Sequence, residues 1–269
     1  MENLEKELLG DDPLDLGSIR LHSRLIVGTG KYDSFETMRA CHHESGTQMV
    51  TIALRRIPLA QKDRKGIIDY INLDKINLLP NTAGAHTAEE ALRLAHIAIS
   101  MGLKHLKIEV MGDSKSLLAD PIETVRTVQL IRKHYSVEQL FLMVYTNDDP
   151  IVALRLYESG ANAVMPAGSP IGSGRGIQNP NNIQMILDFL SGKVPIILDA
   201  GIGSARDAVF AMEMGLDGIL MNTAIAQAQD PVSMAKAMRL AWISGRYSYR
   251  GGRIPRKLYA TASSPGWEF

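Results

Sequence analysis

The chain has 269 residues and a formal net charge of zero, with 29 lysines and arginines against 29 aspartates and glutamates. That balance, with no basic stretch longer than RGGRIPRK near the C-terminus, argues against a nucleic-acid partner. The single cysteine, Cys41, excludes an intramolecular disulfide and suits a reducing cytoplasm, and no run approaches 18 uncharged apolar residues, which argues against a membrane span.

Residues 1–15 read as an N-terminal extension. Their acidic MENLEKELLGDDP start lacks the basic and apolar regions of a secretory signal. Short β-rich runs then alternate with helical patterns. Run 25–30 precedes a helix over 34–44. Run 49–54 precedes residues 55–75, whose RRIPLAQKDRKG stretch has no clean period and reads as a loop crossing the mouth of a barrel. Runs 77–82, 105–110 and 140–146 precede helices over 87–101, 122–135 and 150–159. Runs 163–167, 195–201 and 218–225 precede helices over 180–190, 204–214 and 231–244. Eight strand–helix units imply a parallel sheet closed into a single-domain (β/α)₈ TIM barrel over residues 16–245, with 246–269 as a tail near the barrel mouth. Asp120-Pro121, Asp149-Pro150, Asn179-Pro180 and Asp230-Pro231 each set an N-cap residue before a proline, and Ser204 with Asp207 resembles a capping box, with the shorter Asp in place of Glu. Gly46, Gly102, Gly160 and Gly215 stand where left-handed caps would end helices.

In a barrel the chemistry sits at the C-terminal ends of the strands. The fourth run reads His-Leu-Lys-Ile-Glu-Val, and side chains alternate along a strand. Leu106, Ile108 and Val110 then face the helices, and Lys107 and Glu109 face inward. The bland reading is an inward salt bridge, but a buried pair packs no better than apolar residues. Burial would depress the lysine pKa and make it a nucleophile toward carbonyls, with Glu109 moving protons. In the seventh run the apolar stretch ends in Asp199, a functional position, though a loop-capping aspartate would look the same. Gly201-Ile202-Gly203-Ser204 leads out of the seventh run into a helix, and the eighth strand ends in Asn222-Thr223-Ala224, where barrels commonly bind phosphate. The glycine-rich stretch 168–176 is either flexible spacing or a cradle for an anion, and its density of glycines favours a ligand-facing loop. No HxH, HExxH or CxxC pattern appears, and His42-His43 are consecutive on a helix, so no metal site is expected.

The stretches PNTAGAHTAEEA, KIEVMGD, YTNDDP, VMPAGSPIGSGRGI, ILDAGIGSARDA, GILMNTAIA and GRIPRKLYATASSP together resemble the thiazole synthases of bacterial thiamine biosynthesis, the ThiG family. The resemblance runs from about residue 25 to 265. It implies a cytoplasmic homo-oligomeric barrel, tetrameric in the family, that needs no cofactor. Its substrates would be 1-deoxy-D-xylulose 5-phosphate, dehydroglycine and a ThiS-like sulfur-carrier protein ending in a thiocarboxylate. Lys107 would form an imine with the sugar ketone, and Glu109 and Asp199 would handle protons. Gly168, Ala200, Gly201, Gly203, Asn222 and Thr223 would hold the sugar phosphate. The carrier's flexible tail would enter the barrel mouth, an entrance shaped by residues 168–176 and 246–264. The competing expectations are a lysine-dependent aldolase or pyridoxal 5′-phosphate synthase subunit, which would need no sulfur donor, and a catalytically silent phosphometabolite-binding barrel.

Overall fold

A computed structural model describes residues 12–56 and 66–263. Eight parallel strands form the centre: β3 (Leu25–Gly28), β4 (Met49–Ala53), β5 (Asn77–Asn81), β6 (His105–Ile108), β7 (Phe141–Thr146), β8 (Ala163–Pro166), β9 (Ile197–Asp199) and β10 (Gly218–Met221). The sheet runs β8-β7-β6-β5-β4-β3-β10-β9, and a parallel bridge between Val164 and Ile196 joins its two edges. The molecule is therefore a closed (β/α)₈ barrel, as the alternation predicts.

Seven helices fall where the sequence sets them, from Phe35–Ser45 to Pro231–Gly251. Asp120, Asp149, Asn179 and Asp230 accept backbone N–H bonds at helix starts with proline in the first turn. These side chains satisfy donors that would otherwise lack partners. The capping box of Ser204 and Asp207 forms. Between β4 and β5 the described residues hold only two 3-10 turns, Leu54–Arg56 and Ile67–Tyr70; residues 57–65 of the expected crossing loop lie outside the described residues.

The outer core lies between strands and helices, where Leu106, Ile108 and Val110 pack as the alternation requires. The inner core has layers. Met143, Met165, Ile197, Leu79, Met49 and Ile26 fill the middle of the barrel. Below them a hairpin plugs the end where strands begin: β1 (Leu14–Leu16) pairs antiparallel with β2 (Ile19–Leu21). Its Leu14, Leu16 and Leu21 are buried against the inner core, and His105 Nε2 lies 2.8 Å from the Leu16 carbonyl. The boundary expected at residue 15 thus falls inside the first strand of this hairpin. Its signal was present in LDLGSIRL, two alternating triplets about a Gly-Ser turn.

The last helix departs from expectation. It continues to Gly251, so residues 246–251 are helical. It starts after β10, near the C-terminal ends of the strands, and its 21 residues span roughly 30 Å. Arg246, near its end, pairs with Asp12 at 2.6 Å, and Asp12 also pairs with Arg24, the residue before β3. Arg246 thus sits at the opposite end of the barrel from the mouth it was expected to shape. The described part of the tail, 252–263, is exposed throughout and leaves the helix at that far end.

Candidate active site

At the C-terminal ends of the strands the inner layer becomes polar. Lys107 and Glu109 project inward from the end of β6, and Asp199 from the end of β9, all three more than 90% buried. The lysine Nζ lies 2.8 Å from Glu109 Oε1 and 2.6 Å from Asp199 Oδ2. The ring of Tyr145 stands 5.5 Å from the same nitrogen. The main chain of Glu109 is fastened to β5: its N–H donates to Thr82 Oγ1, and the Thr82 hydroxyl donates to its carbonyl, each at 2.8 Å. These bonds hold the carboxylate in place through the backbone that carries it.

Burial by itself would lower the Lys107 ammonium, but Asp199 and Glu109 outweigh it and hold the pKa above its ordinary value. The expectation of a depressed lysine pKa is therefore corrected: two contacting carboxylates reverse the effect of desolvation. Burial pushes Asp199 up to about 6, against the opposing pull of Lys107 and with added repulsion from Glu109. One lysine between two carboxylates gives the cluster a formal charge of −1 when all are ionised.

The cluster opens into a cavity of about 450 Å³ at the mouth end of the barrel, lined also by Thr51, Asn81 and the turns after β9 and β10. Five of the six residues expected to hold phosphate, Ala200, Gly201, Gly203, Asn222 and Thr223, line it. Gly168 stands behind them, its N–H directed to the Ala200 carbonyl at 3.3 Å. Ala200 and Gly201 both have positive φ, 74° and 91°. A Cβ on Gly201 would lie 2.4 Å from Ser169 Oγ, and one on Gly203 would lie 2.4 Å from the Gly174 carbonyl oxygen. These glycines thus let the loop after β8 press against the turn after β9. The Gly203 N–H itself donates to Asp207 at 3.0 Å, within the capping box. Asn222 fills the space left by the missing side chain of Gly28, and its Nδ2 donates to the Gly30 carbonyl at 2.8 Å.

Tyr145, Thr82, Asn81 and Thr51 received no role from the sequence, although the first three fall in stretches that carried the resemblance. Their position at the ends of inward-facing strands was the available signal. His42 and His43 diverge as their spacing predicts: His42 is buried with Nε2 3.1 Å from the Gly28 carbonyl, and His43 faces solvent.

A closed α/β barrel with a buried lysine and two carboxylates at the floor of a cavity on its catalytic face defines the class: a barrel enzyme. The family model for thiazole biosynthesis protein ThiG matches residues 15–265. The chain is 50% identical to the thiazole synthase of Rhodopirellula baltica, over 97% of this chain and 93% of that protein. It is 48% identical to that of Myxococcus xanthus, over 95% and 96%. Among solved structures it resembles the Amycolatopsis orientalis BexX/CysO complex, with a TM-score of 0.80 and 32% identity over 93% of this chain and 100% of that one. The chain belongs to the ThiG family, which makes it an enzyme of thiamine biosynthesis that transfers sulfur in forming a thiazole.

Proposed function

We propose that the enzyme condenses 1-deoxy-D-xylulose 5-phosphate, dehydroglycine and the sulfur of a thiocarboxylated, ThiS-like carrier protein into thiazole phosphate, through an imine on Lys107. The observation that carries this reading is the buried lysine held between Glu109 and Asp199 at the cavity floor. The raised lysine pKa does not oppose it. An ammonium and a ketone give an iminium and water with no change in net charge, so the carboxylates that stabilise the ammonium also stabilise the iminium. Attack needs only a transient proton transfer from Lys107, and Asp199 at 2.6 Å can accept it.

The iminium is an electron sink, so the adjacent sugar carbon can lose a proton to Glu109 or Asp199. Tautomerisation then moves carbonyl character along the sugar. The thiocarboxylate sulfur attacks the new carbonyl carbon; the alkoxide so formed takes the acyl group as the acyl–sulfur bond breaks, and the carrier leaves as its carboxylate with that oxygen, so the sulfur stays on the sugar carbon as a thiocarbonyl. Dehydroglycine supplies the nitrogen and carbon that close the ring. Ala200, Gly201, Gly203, Asn222 and Thr223 line the end of the cavity assigned to phosphate, and Gly168 braces Ala200. A carrier partner is supported by the related barrel solved as a BexX/CysO complex. We take the enzyme to be cytoplasmic and homo-oligomeric; no helix among the described residues is long and apolar enough to cross a membrane.

Borohydride reduction in the presence of 1-deoxy-D-xylulose 5-phosphate, followed by peptide mass spectrometry, tests the imine. Modification is expected on Lys107 alone and absent in Lys107→Arg, whose guanidinium cannot form it. Modification of Lys31 or Lys104 instead would remove Lys107 from the mechanism.

A further inference from the structure

The described residues lining the cavity carry three charged side chains, Lys107, Glu109 and Asp199. Lys107 is already paired with both carboxylates, so it cannot also neutralise a dianionic phosphate. The lining as a whole repels one. A cation at the rim would offset that repulsion, and Lys31 is placed to supply it.

Lys31 follows β3 at the mouth end and has φ 65°, a left-handed conformation uncommon for a residue with a side chain. Its Nζ lies 3.6 Å from the point where a Cβ on Gly172 would stand, and Thr223 Oγ1 lies 3.7 Å from that same point. Gly172 belongs to the loop after β8. Around the barrel, β9 and β10 lie between β8 and β3. The lysine thus reaches across the ends of two strands and meets a loop from the far side. Gly172 and Thr223 both line the cavity, together with Gly201, Gly203 and Asn222, so the lysine ammonium stands at its rim. Lys31 forms no ion pair among the described residues, so its charge is not already committed there. A left-handed backbone that sets an ammonium with no ion pair among the described residues beside a neutral, glycine-rich turn has a reason to persist if an anion occupies the cavity next to it.

We propose that Lys31 is a phosphate-binding residue whose ammonium closes over the phosphate of the bound sugar phosphate, opposite the Thr223 hydroxyl. The proposal rests on the reading of the cavity as a phosphosugar site. It separates two tasks among the lysines at this mouth: Lys107 reacts and Lys31 recognises charge. It also makes discrimination between phosphorylated and unphosphorylated sugar depend on a residue outside the turns after β9 and β10.

Isothermal titration of the full-length enzyme with 1-deoxy-D-xylulose 5-phosphate and with unphosphorylated 1-deoxy-D-xylulose tests this. Lys31 is exposed, so Lys31→Met and Lys31→Gln should melt as wild type does. Each should bind the phosphorylated sugar on the order of 10- to 100-fold more weakly, as expected for loss of a charge-assisted bond, and bind the unphosphorylated sugar unchanged. Lys31→Arg should recover most of the loss. A variant that keeps wild-type affinity for the phosphorylated sugar, or weakens for both sugars alike, would overturn the role of Lys31 alone. If wild type itself does not distinguish the two sugars, the phosphosugar reading fails and the proposal goes with it.

Discussion

Lys107 meets two opposing forces, and their balance sets its resting state. A lone buried lysine loses its proton easily, because an interior cannot solvate the charge. Two carboxylates within 2.8 Å reverse that outcome. Their removal should therefore act on turnover more than on binding. Glu109→Gln and Asp199→Asn are expected to keep the fold and bind the sugar phosphate. Each should slow thiazole formation on the order of 10²–10⁴-fold if its residue transfers a proton in the slow step. Steady-state rates alongside sugar titrations check this, and a variant with wild-type turnover would clear its residue of the role. The pH profile gives a second reading. Asp199, raised by burial to about 6, must be ionised to accept a proton. The acid limb of the wild-type rate should fall through that region, and Asp199→Asn should lose that limb.

Among the elements, the loop over residues 168–176 and the turn after β9 behave as one unit. They touch at glycines, where backbone meets backbone without side chains between: Gly168 with Ala200, Gly176 with Gly201, and Gly174 with Gly203. Gly203→Val would set a side chain 2.4 Å from the Gly174 carbonyl and push the loop away from the cavity. The strands beneath are packed independently of that contact, so the barrel should still melt cooperatively. The dissociation constant for the sugar phosphate should rise, as titration calorimetry would record. An unchanged constant would mean that this turn does not border the phosphate. The GxG spacing was visible in the sequence and suggested an amide cradle. Only the fold revealed that the Gly203 N–H is occupied by Asp207 and that its missing Cβ admits another loop.

Across the whole molecule, buried histidines tie stability to pH. Burial lowers the pKa of His42 and of His105 below the ordinary 6.5. As pH falls below 6.5, the unfolded chain takes up these protons first, so stability present above that value is lost as pH drops through the lowered folded-state values. Asp217, raised by burial, acts in the opposite sense, so the informative quantity is a difference between variants. His42→Gln keeps a donor for the Gly28 carbonyl but cannot titrate. Its denaturation midpoint should fall less than that of wild type between pH 7.5 and 5.5; equal falls would show that His42 contributes nothing to the slope.

The C-terminal tail belongs to the same scale. It leaves the last helix at the end of the barrel away from the mouth, and Ile254, Leu258 and Tyr259 are 83%, 89% and 82% exposed. Such side chains gain from burial against another surface, and a second copy of the chain would provide one. Truncation after Gly252 should leave the melting temperature of the barrel nearly unchanged and lower the mass found by light scattering. An unchanged mass would remove the tail from the assembly.

The sequence alone determined the elements and their order, because their signals are local. Asp-Pro and Asn-Pro pairs mark helix starts, apolar runs mark strands, and alternation puts Lys107 and Glu109 on the opposite face from Leu106 and Ile108. Those features depend on neighbours a few residues away. It also carried the resemblance, since whole stretches such as VMPAGSPIGSGRGI keep their order along the chain. Tertiary structure decided what depends on residues distant in sequence. Asp199 reaches Lys107 across the barrel and reverses the sign of its pKa shift. The hairpin over residues 14–21 plugs the barrel through Leu14, Leu16 and Leu21, which pack into one cluster with Met143 and Ile197 from distant strands. The length of the last helix decides at which end the tail emerges, and Lys31 acquires a target only when the loop after β8 folds back to meet it. A charge, a cavity wall or a chain direction in space is the sum of contacts from many segments, and no single segment records that sum.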